Sequence, residues 1–333
     1  RWNGWGDDTV QYPLAPKAET FLNELVGAGS PPQDAQLAEI LAGMPESRLE
    51  HNPLFTKEPQ QRLRHARGQS LPDWIALRTG SITTFPDGIA YPENETDVTD
   101  LIQYAAQTGA QLIPYGGGTS VVGHINPIAS DRPVLTVDMR HMNGLHAFDD
   151  RDLLATFGAG VSGPELEAQL RARNYTLGHY PQSFEFSTLG GWVATRSKGQ
   201  QALLYGRIED LYAGGTMVTP AGKLIMPPHP ASAAGPDLRQ LVLGSEGRMG
   251  FITEATVRVS TLPEEEEFHG LFFPDFEAGQ TAVREMVQAQ LPLSMLRLST
   301  PGETETTLVM AGHERAIGLL EQFLSIRGIS ETK

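Results

Sequence analysis

The chain has 333 residues and a formal net charge of −15, from 25 lysines and arginines against 40 aspartates and glutamates. This acidic balance disfavours a sequence-independent grip on nucleic acid, which needs concentrated positive charge. Hydrophobic residues make up 40% of the chain, enough for the cores of about two domains of ~150 residues each. The absence of cysteine excludes disulfides, thiolate metal sites, a cysteine nucleophile and a cysteine-linked cofactor.

The two ends of the sequence carry no targeting signal. No apolar run approaches the ~18 residues of a membrane span, and the start is not a secretory signal. Because the first residue is Arg1 and not methionine, we expect a leader or tag to be missing. The tail, residues 327–333, stops just after a helical pattern, so we expect the chain to be cut off there.

Residues 1–80 are predicted to form an N-terminal helical arm. Helical patterns run from Ala18 to Val26 and from Pro32 to Leu41. The basic segment 62–67 follows them, and it indicates either a solvated helix face or a surface that meets an anionic substrate.

Short strands and helices alternate over residues 81–265. One helix is expected to begin at a cap formed by Asn94 or Thr96 and to end at Gln107 before Gly109. Another begins at Ser162, whose capping box with Glu165 marks a helix start. Strands are expected near residues 89–92, 112–114, 134–138, 155–160 and 250–260. In the last strand, alternation places residues 251, 253, 255, 257 and 259 on one face.

Beyond the glutamate run 264–267, which is predicted to be a solvated linker, the composition changes. Residues 266–333 are predicted to be the beginning of a cap domain of α+β type, truncated at its end. The expected pattern is strand 271–273, helix 277–290, strand 295–298, the apolar segment 308–310 and helix 314–326.

Four glycine-bearing blocks recur in order: residues 114–120, 182–191, 195–199 and 244–250. Glycine lets backbone amides approach a ligand without a Cβ in the way, so such loops can wrap a pyrophosphate. Each block alone also has a plain explanation, namely a tight turn, an edge strand or cations paired in solvent. The fourth block is not a Rossmann fingerprint, because a strand follows its glycines. Together the four blocks predict a site for a large nucleotide cofactor.

Polar side chains near the blocks suggest chemistry. His179 is the candidate for proton transfer, because a histidine pKa can lie near neutrality, although a histidine packed on a loop is equally consistent with its position. His124 is a weaker candidate. Arg297 lies in a predicted strand, where it either points inward to an anionic partner or faces the surface. The scattered histidines lack metal-ligand spacing, so no metal site is predicted.

The order of these blocks resembles the FAD-binding domain of the vanillyl-alcohol oxidase (PCMH-type) flavoprotein family. Within it, the segments 1–6, 184–192, 205–211 and 250–256 are most similar to alkyldihydroxyacetonephosphate synthases. The sequence Arg196-Ser197-Lys198-Gly199, with Trp192 before it, favours this branch over the family's glycolate and lactate dehydrogenases.

The resemblance implies an α+β fold with non-covalent FAD between two α+β subdomains and a cap domain over the flavin. It implies exchange of the acyl group of acyl-dihydroxyacetone phosphate for a fatty alcohol, without net redox change, in ether lipid synthesis. It places His179 beside the flavin and makes Arg297 necessary for activity. The implied FAD contacts are Pro114, Tyr115, Gly116, Gly117, Gly118, Thr119, Ser120, Gln182, Ser183, Phe184, Glu185, Phe186, Ser187, Thr188, Thr195, Arg196, Ser197, Lys198, Glu246, Gly247, Arg248, Met249, Gly250, Phe251 and Ile252.

The sequence departs from the family pattern at Gln182, where the synthases carry aspartate, and at Arg248 and Met249, which replace a Thr-Leu pair. The family's catalytic tyrosine, its phosphate-binding arginine and its run of histidines do not match any segment of this chain. We therefore expect either a fragment of a longer protein or a protein without a complete active site. Two alternatives stay open: an FAD-dependent D-2-hydroxyacid dehydrogenase or oxidase, and a flavin-binding fold without catalysis.

The expected partners are a small-molecule lipid substrate, a second copy of the chain in a homodimer and a membrane surface contacted peripherally, with no nucleic acid. The expected location is the bacterial cytoplasm, because Glu331-Thr332-Lys333 is not a peroxisomal address.

Overall fold

The computed structural model describes residues 1–10, 12–30, 33–230, 233–311 and 314–326. Two compact units divide the chain: unit 1 comprises residues 1–5 and 33–262, and unit 2 comprises residues 6–32 and 263–333. The strands are β1 (Gly88–Ala90), β2 (Gln111–Tyr115), β3 (Val134–Asp138), β4 (Leu145–Asp149), β5 (Leu154–Gly158), β6 (Tyr175–Thr176), β7 (Tyr212–Thr219), β8 (Gly222–Met226), β9 (Phe251–Arg258) and β10 (Ser260–Thr261).

The helices are α1 (Pro16–Val26), α2 (Leu37–Gly43), α3 (Pro59–Arg64), α4 (Leu71–Thr79), α5 (Glu95–Thr108), α6 (Gly163–Arg171), α7 (Leu189–Thr195), α8 (Ala202–Tyr205), α9 (Ile208–Leu211), α10 (Arg239–Val242), α11 (Phe276–Gln288), α12 (Pro301–Ala311) and α13 (Glu314–Ile326), with a 3-10 helix at Met139–His141. Within the described ranges, no helix is long and apolar enough to cross a membrane. The α+β organisation predicted from the sequence is confirmed.

The first sheet of unit 1 is parallel and has the order β1-β3-β2. Its strands share a core with α5, which contributes Val98 and Leu101. The side chain of Asn94 caps α5 by accepting hydrogen bonds from two backbone amides, and Gly109 ends the helix with a φ of +74°. Both helix ends confirm the sequence prediction, because caps depend on residues only a few positions away.

The second sheet is antiparallel and has the order β4-β5-β9-β7-β8. Leu166 and Leu170 of α6 and Trp192 of α7 are buried in its core. The predicted capping box is confirmed, since the Ser162 side chain accepts from the backbone of Glu165 and the Glu165 carboxylate accepts from Ser162.

Strand β9 does not alternate along its whole length as predicted. Thr216 of β7 is paired with Glu254 and Met217 with Ile252, so Thr253 is an extra residue in the ladder. Such a bulge shifts the side chains that follow it to the other face. Ile252 therefore shares a core with Ala255, while residue 251 belongs to the core of the first sheet.

The predicted solvated face of the basic segment 62–67 is wrong. Arg62 and His65 are buried, with 4% and 2% of their surface exposed. The Arg62 guanidinium donates to the carbonyl oxygens of Pro86 and Pro45. The sequence pattern could not show this, because the acceptors that compensate the burial lie on other segments.

The predicted strands of unit 2 are also wrong. Residues 271–273 and 295–298 lie outside helices and strands, so Arg297 is not in a strand, and residues 308–310 belong to α12. Helix α12 begins at Pro301 because Thr300 and Glu303 form a capping box, which the sequence analysis did not recognise. Helix α1 packs against α12 within this unit. The predicted helix start at Pro32 and the tail 327–333 lie outside the described residues.

Replacement of Asp87 by asparagine is expected to lower the free energy of unfolding by about 2 kcal/mol, because it weakens buried charge-assisted bonds. Asp87 accepts from the Arg48 guanidinium and backbone and from the amide of Val134. Burial raises its pKa, but these bonds outweigh burial and hold the pKa below its usual value. Urea unfolding measures the change in the free energy of unfolding.

The matched control is Asp34→Asn. The ion pair between Asp34 and Arg78 is half exposed and contributes ~0.5 kcal/mol. Equal effects would contradict the prediction.

Candidate functional site

The first and second glycine blocks touch through their backbones. A Cβ on Gly116 would collide with the Thr188 hydroxyl, and one on Gly117 would collide with the carbonyl oxygen of Phe186 and lie 3.0 Å from the Ser187 Cα. Only glycine permits this approach. The structure therefore brings together two loops that are about 70 residues apart in the sequence.

The first block leaves the parallel sheet at the end of β2. Gly118 adopts a left-handed conformation with a φ of +69°, and the Tyr115 hydroxyl lies directly against it. Tyr115 is buried, and this burial raises the pKa of its phenol. Among the described residues, the backbone amides of Gly117 and Thr119 donate to no other group. Free amides in a glycine turn are the donors that an anion-binding loop requires.

The fourth block contacts both the first and the third. A Cβ on Gly247 would lie 3.0 Å from Pro114 Cγ, and one on Gly244 would lie 3.0 Å from Arg196 Nε. The amide of Glu246 donates to the carbonyl of Ala194, at 2.8 Å. All four predicted blocks thus meet at one place in unit 1.

The second block forms a series of turns. The alternative interpretation of this block as an edge strand is therefore wrong. The Thr188 side chain caps α7 by accepting from the amide of Gly191. The Ser187 hydroxyl donates to the carbonyl of Ser183 at 2.8 Å and accepts from the Trp192 indole at 2.7 Å. This internal bonding holds the block in place beneath the first glycine loop.

The other side chains of the second block have different surroundings. Phe184 stacks on buried Trp192, with ring centroids 6.4 Å apart. Phe186 is 38% exposed and meets Trp5 edge to face. Glu185 and Gln182 are exposed. Of the two aromatic rings, Phe186 is thus the more exposed one.

His179 lies beneath the third block and is buried, with 1% of its surface exposed. Its Nε2 is 2.8 Å from the Ser197 hydroxyl, and its Nδ1 has no hydrogen-bond partner within the described chain. Burial lowers the pKa of the imidazole to about 4. A neutral ring that holds Ser197 in place fits this position, and the predicted role in proton transfer stays a prediction.

Glu167 is a positioning residue that the sequence reading missed. Its buried carboxylate accepts from the Thr176 hydroxyl and from the amides of Leu177 and Gly178. It thereby fixes the turn that leads into His179. An acidic residue inside the apolar stripe of α6 was the only signal in the sequence.

Two cations at the site are unpaired. Lys198 and Arg248 are exposed and have no ion-pair partner in the part of the chain that the structure describes. Arg196, by contrast, donates hydrogen bonds to the carbonyl oxygen of Leu243 and to the side-chain oxygen of Gln240. In a chain with a net charge of −15, two free cations beside glycine loops favour an anionic ligand.

Five other predicted residues differ in their exposure and location. Phe251 and Ile252 are buried in the cores, so only their backbone is available to a cofactor, whereas Met249 is 42% exposed. His124 is exposed beside the first block, 3.5 Å from the Ser120 hydroxyl. Arg297 belongs to unit 2 and stays a prediction. In the described ranges, no group of three acidic or histidine side chains could hold a metal ion.

Comparison with known proteins gives consistent matches. The family model of the FAD binding domain matches residues 86–226, and that of the C-terminal domain of FAD linked oxidases matches residues 262–332. An alkyldihydroxyacetonephosphate synthase from Dictyostelium discoideum is 39% identical over 256 residues, which are 77% of this chain and 42% of that protein. One from Caenorhabditis elegans is 33% identical over 330 residues, which are 90% of this chain and 55% of that protein.

A solved structure of an alkyldihydroxyacetonephosphate synthase superposes on the whole chain with a TM-score of 0.88 and 31% identity, and the match covers 68% of that structure. The chain spans about half the length of the curated relatives it matches. The likeness therefore includes both units, and the relatives contain further residues with no counterpart in this sequence.

Proposed function

The chain belongs to the PCMH-type FAD-binding flavoproteins, in the family of the alkyldihydroxyacetonephosphate synthases, and from this membership we propose that it serves ether lipid synthesis. The proposed reaction replaces the acyl group of acyl-dihydroxyacetone phosphate by a fatty alcohol. The cofactor is FAD, and we propose that it binds without a covalent link. A link through cysteine is excluded because the chain contains no cysteine.

The structural observation that supports FAD binding is the convergence of the four blocks. Contacts at Gly117, Gly244 and Gly247 join segments from four parts of unit 1, and the loop amides of residues 117–119 have no partner in the described chain. Free amides, hydroxyl groups and unpaired cations form a donor set that suits the pyrophosphate of FAD.

FAD, when bound, supplies a redox-active isoalloxazine ring. The chain's own residues hold and orient it in our proposal: the first glycine loop donates amides to phosphate oxygens, and Lys198 and Arg248 neutralise their charge. His179 acts as a neutral support for Ser197, because its buried ring is hydrogen-bonded to that hydroxyl.

Replacement of Lys198 by methionine is expected to weaken FAD binding by about tenfold, the order of one charge-assisted hydrogen bond. Titration of the apoprotein with FAD, followed by flavin fluorescence, measures the dissociation constant. The matched control is Lys223→Met, which changes the net charge equally but removes a lysine that is paired with Glu95. Equal affinities in the two variants would remove Lys198 from the proposed site.

The function is tested on the purified protein at its natural length. After the flavin spectrum is recorded, the protein is incubated anaerobically with acyl-dihydroxyacetone phosphate and, separately, with D-lactate or glycolate. Release of fatty acid, and ether product once fatty alcohol is added, supports the synthase. Flavin bleaching by a hydroxy acid with formation of the keto acid contradicts it and supports the dehydrogenase. A bound flavin without turnover on either substrate supports a non-catalytic role.

The setting of this activity is also proposed. Because both proposed substrates are lipids, we expect the protein to contact membranes peripherally. We also propose that it belongs to the bacterial cytoplasm and acts as a homodimer without nucleic acid. Vesicle flotation and sedimentation velocity test the membrane contact and the dimer.

A further inference from the structure

A group of charged residues lies buried behind the first glycine block. The imidazole of His65, at the end of α3, places Nε2 at 2.9 Å from the carboxylate of Asp138, at the end of β3. The Arg140 guanidinium donates to the same carboxylate. His65 and Asp138 are 2% and 0% exposed as side chains, whereas that of Arg140 is 49% exposed. These three residues form the His65 cluster.

The two ring nitrogens of His65 both face oxygen atoms of other residues. Its Nδ1 is 2.8 Å from the carbonyl oxygen of Gln61, which can only accept a hydrogen bond. Its Nε2 faces Asp138. Burial raises the pKa of that carboxyl, but the hydrogen bonds from His65 and Arg140 outweigh burial, so the pKa lies below its usual value and the group is ionised. Both ring nitrogens therefore face acceptors, and this geometry can accommodate a proton on each nitrogen.

The cluster is connected to the glycine loop through Tyr115. The ring of His65 lies 4.5 Å from the Tyr115 ring, measured between centroids. Tyr115 is also the register partner of Asp138 across the parallel strands β2 and β3. Its hydroxyl lies against Gly118. Tyr91 is a further titratable neighbour, and its ring centroid is 6.1 Å from that of His65.

We propose that the His65 cluster is a buried cationic support that positions the loop 116–118 for the pyrophosphate of the cofactor. In this proposal both ring nitrogens of His65 carry a proton, so two cations and one anion give the cluster a net charge of +1 in a chain that is acidic overall. The loop itself contains no cationic side chain, so the cluster supplies positive charge behind the free amides. His65 and Arg140 are positioning residues, because they act through Tyr115 and the loop. The inference rests on the proposed binding of FAD.

The first measurement is the protonation state of His65 in the protein without FAD. Nitrogen-15 NMR of labelled histidine at pH 7 distinguishes a ring with two N–H groups from one with a single N–H, and the signal is assigned with His65→Gln. The doubly protonated form is expected. A single N–H would overturn the charged cluster, whether or not the protein binds FAD.

The second measurement compares FAD with riboflavin, which lacks the phosphates. His65→Gln and Arg140→Gln are each expected to weaken FAD binding about tenfold and to leave riboflavin affinity unchanged. If His65→Gln does not fold, the Arg140→Gln variant still tests the proposal. Arg140 is half exposed, so we expect its replacement to leave the protein folded. The matched control is His51→Gln, at an exposed position. Unchanged FAD affinity, or equal losses for FAD and riboflavin, would overturn the positioning role. Failure of the wild type to bind FAD would instead contradict the proposed function.

Discussion

Replacement of Gly117 by alanine is expected to raise the FAD dissociation constant about 100-fold, which corresponds to roughly 3 kcal/mol. The added Cβ would overlap the carbonyl oxygen of Phe186 and press on the Cα of Ser187, so both obstacles are backbone atoms and no rotamer change relieves them. The two loops must separate, and the amides proposed to bind phosphate move with them. Flavin fluorescence titration of the purified apoprotein measures the effect.

The matched control for this variant is Gly144→Ala. A Cβ there would meet only the ring of His146, at 3.6 Å, which is an ordinary van der Waals contact. The control should bind FAD like the wild type. If Gly117→Ala also binds FAD normally while circular dichroism shows a native fold, the contact between the first two blocks is not part of the cofactor site.

The wild-type protein is expected to lose roughly 3 kcal/mol of stability through His179 as the pH falls from 6.5 to about 4. Burial lowers the pKa of the folded imidazole to about 4, whereas the unfolded chain takes up this proton near pH 6.5. Between these values the unfolded state binds more protons, so acid favours unfolding. Above pH 6.5 this contribution is fully present, and below pH 4 it does not fall further.

Urea unfolding at several pH values tests this linkage. His179→Gln should show a shallower loss of stability between pH 6.5 and 4, because the titrating group is absent, while its amide can still donate to Ser197. The exposed His229 provides the matched control, since His229→Gln should keep the wild-type slope. Equal slopes for the wild type and His179→Gln would show that burial does not lower the pKa of His179, and would contradict its assignment as a neutral support for Ser197.

Local signals in the sequence determined the helix ends and the glycine blocks. The caps at Asn94 and Ser162 were correct because each side chain bonds an amide within three residues of itself. The blocks were recognisable because glycine is required wherever a backbone approaches closely. Where a local signal was overlooked, as in the capping box at Thr300, the apolar segment 308–310 was not recognised as part of a helix.

Only the tertiary structure decided which charged and polar side chains are buried and what they bind. Nothing near His65 in the sequence indicates Asp138, which lies 73 positions away, and the basic segment around it looked solvated. The same holds for Gly117 and the carbonyl of Phe186. The physical reason is that the free energy of burying a polar group depends on its partner, and partners supplied by distant strands and loops leave no periodic or compositional trace at the residue itself.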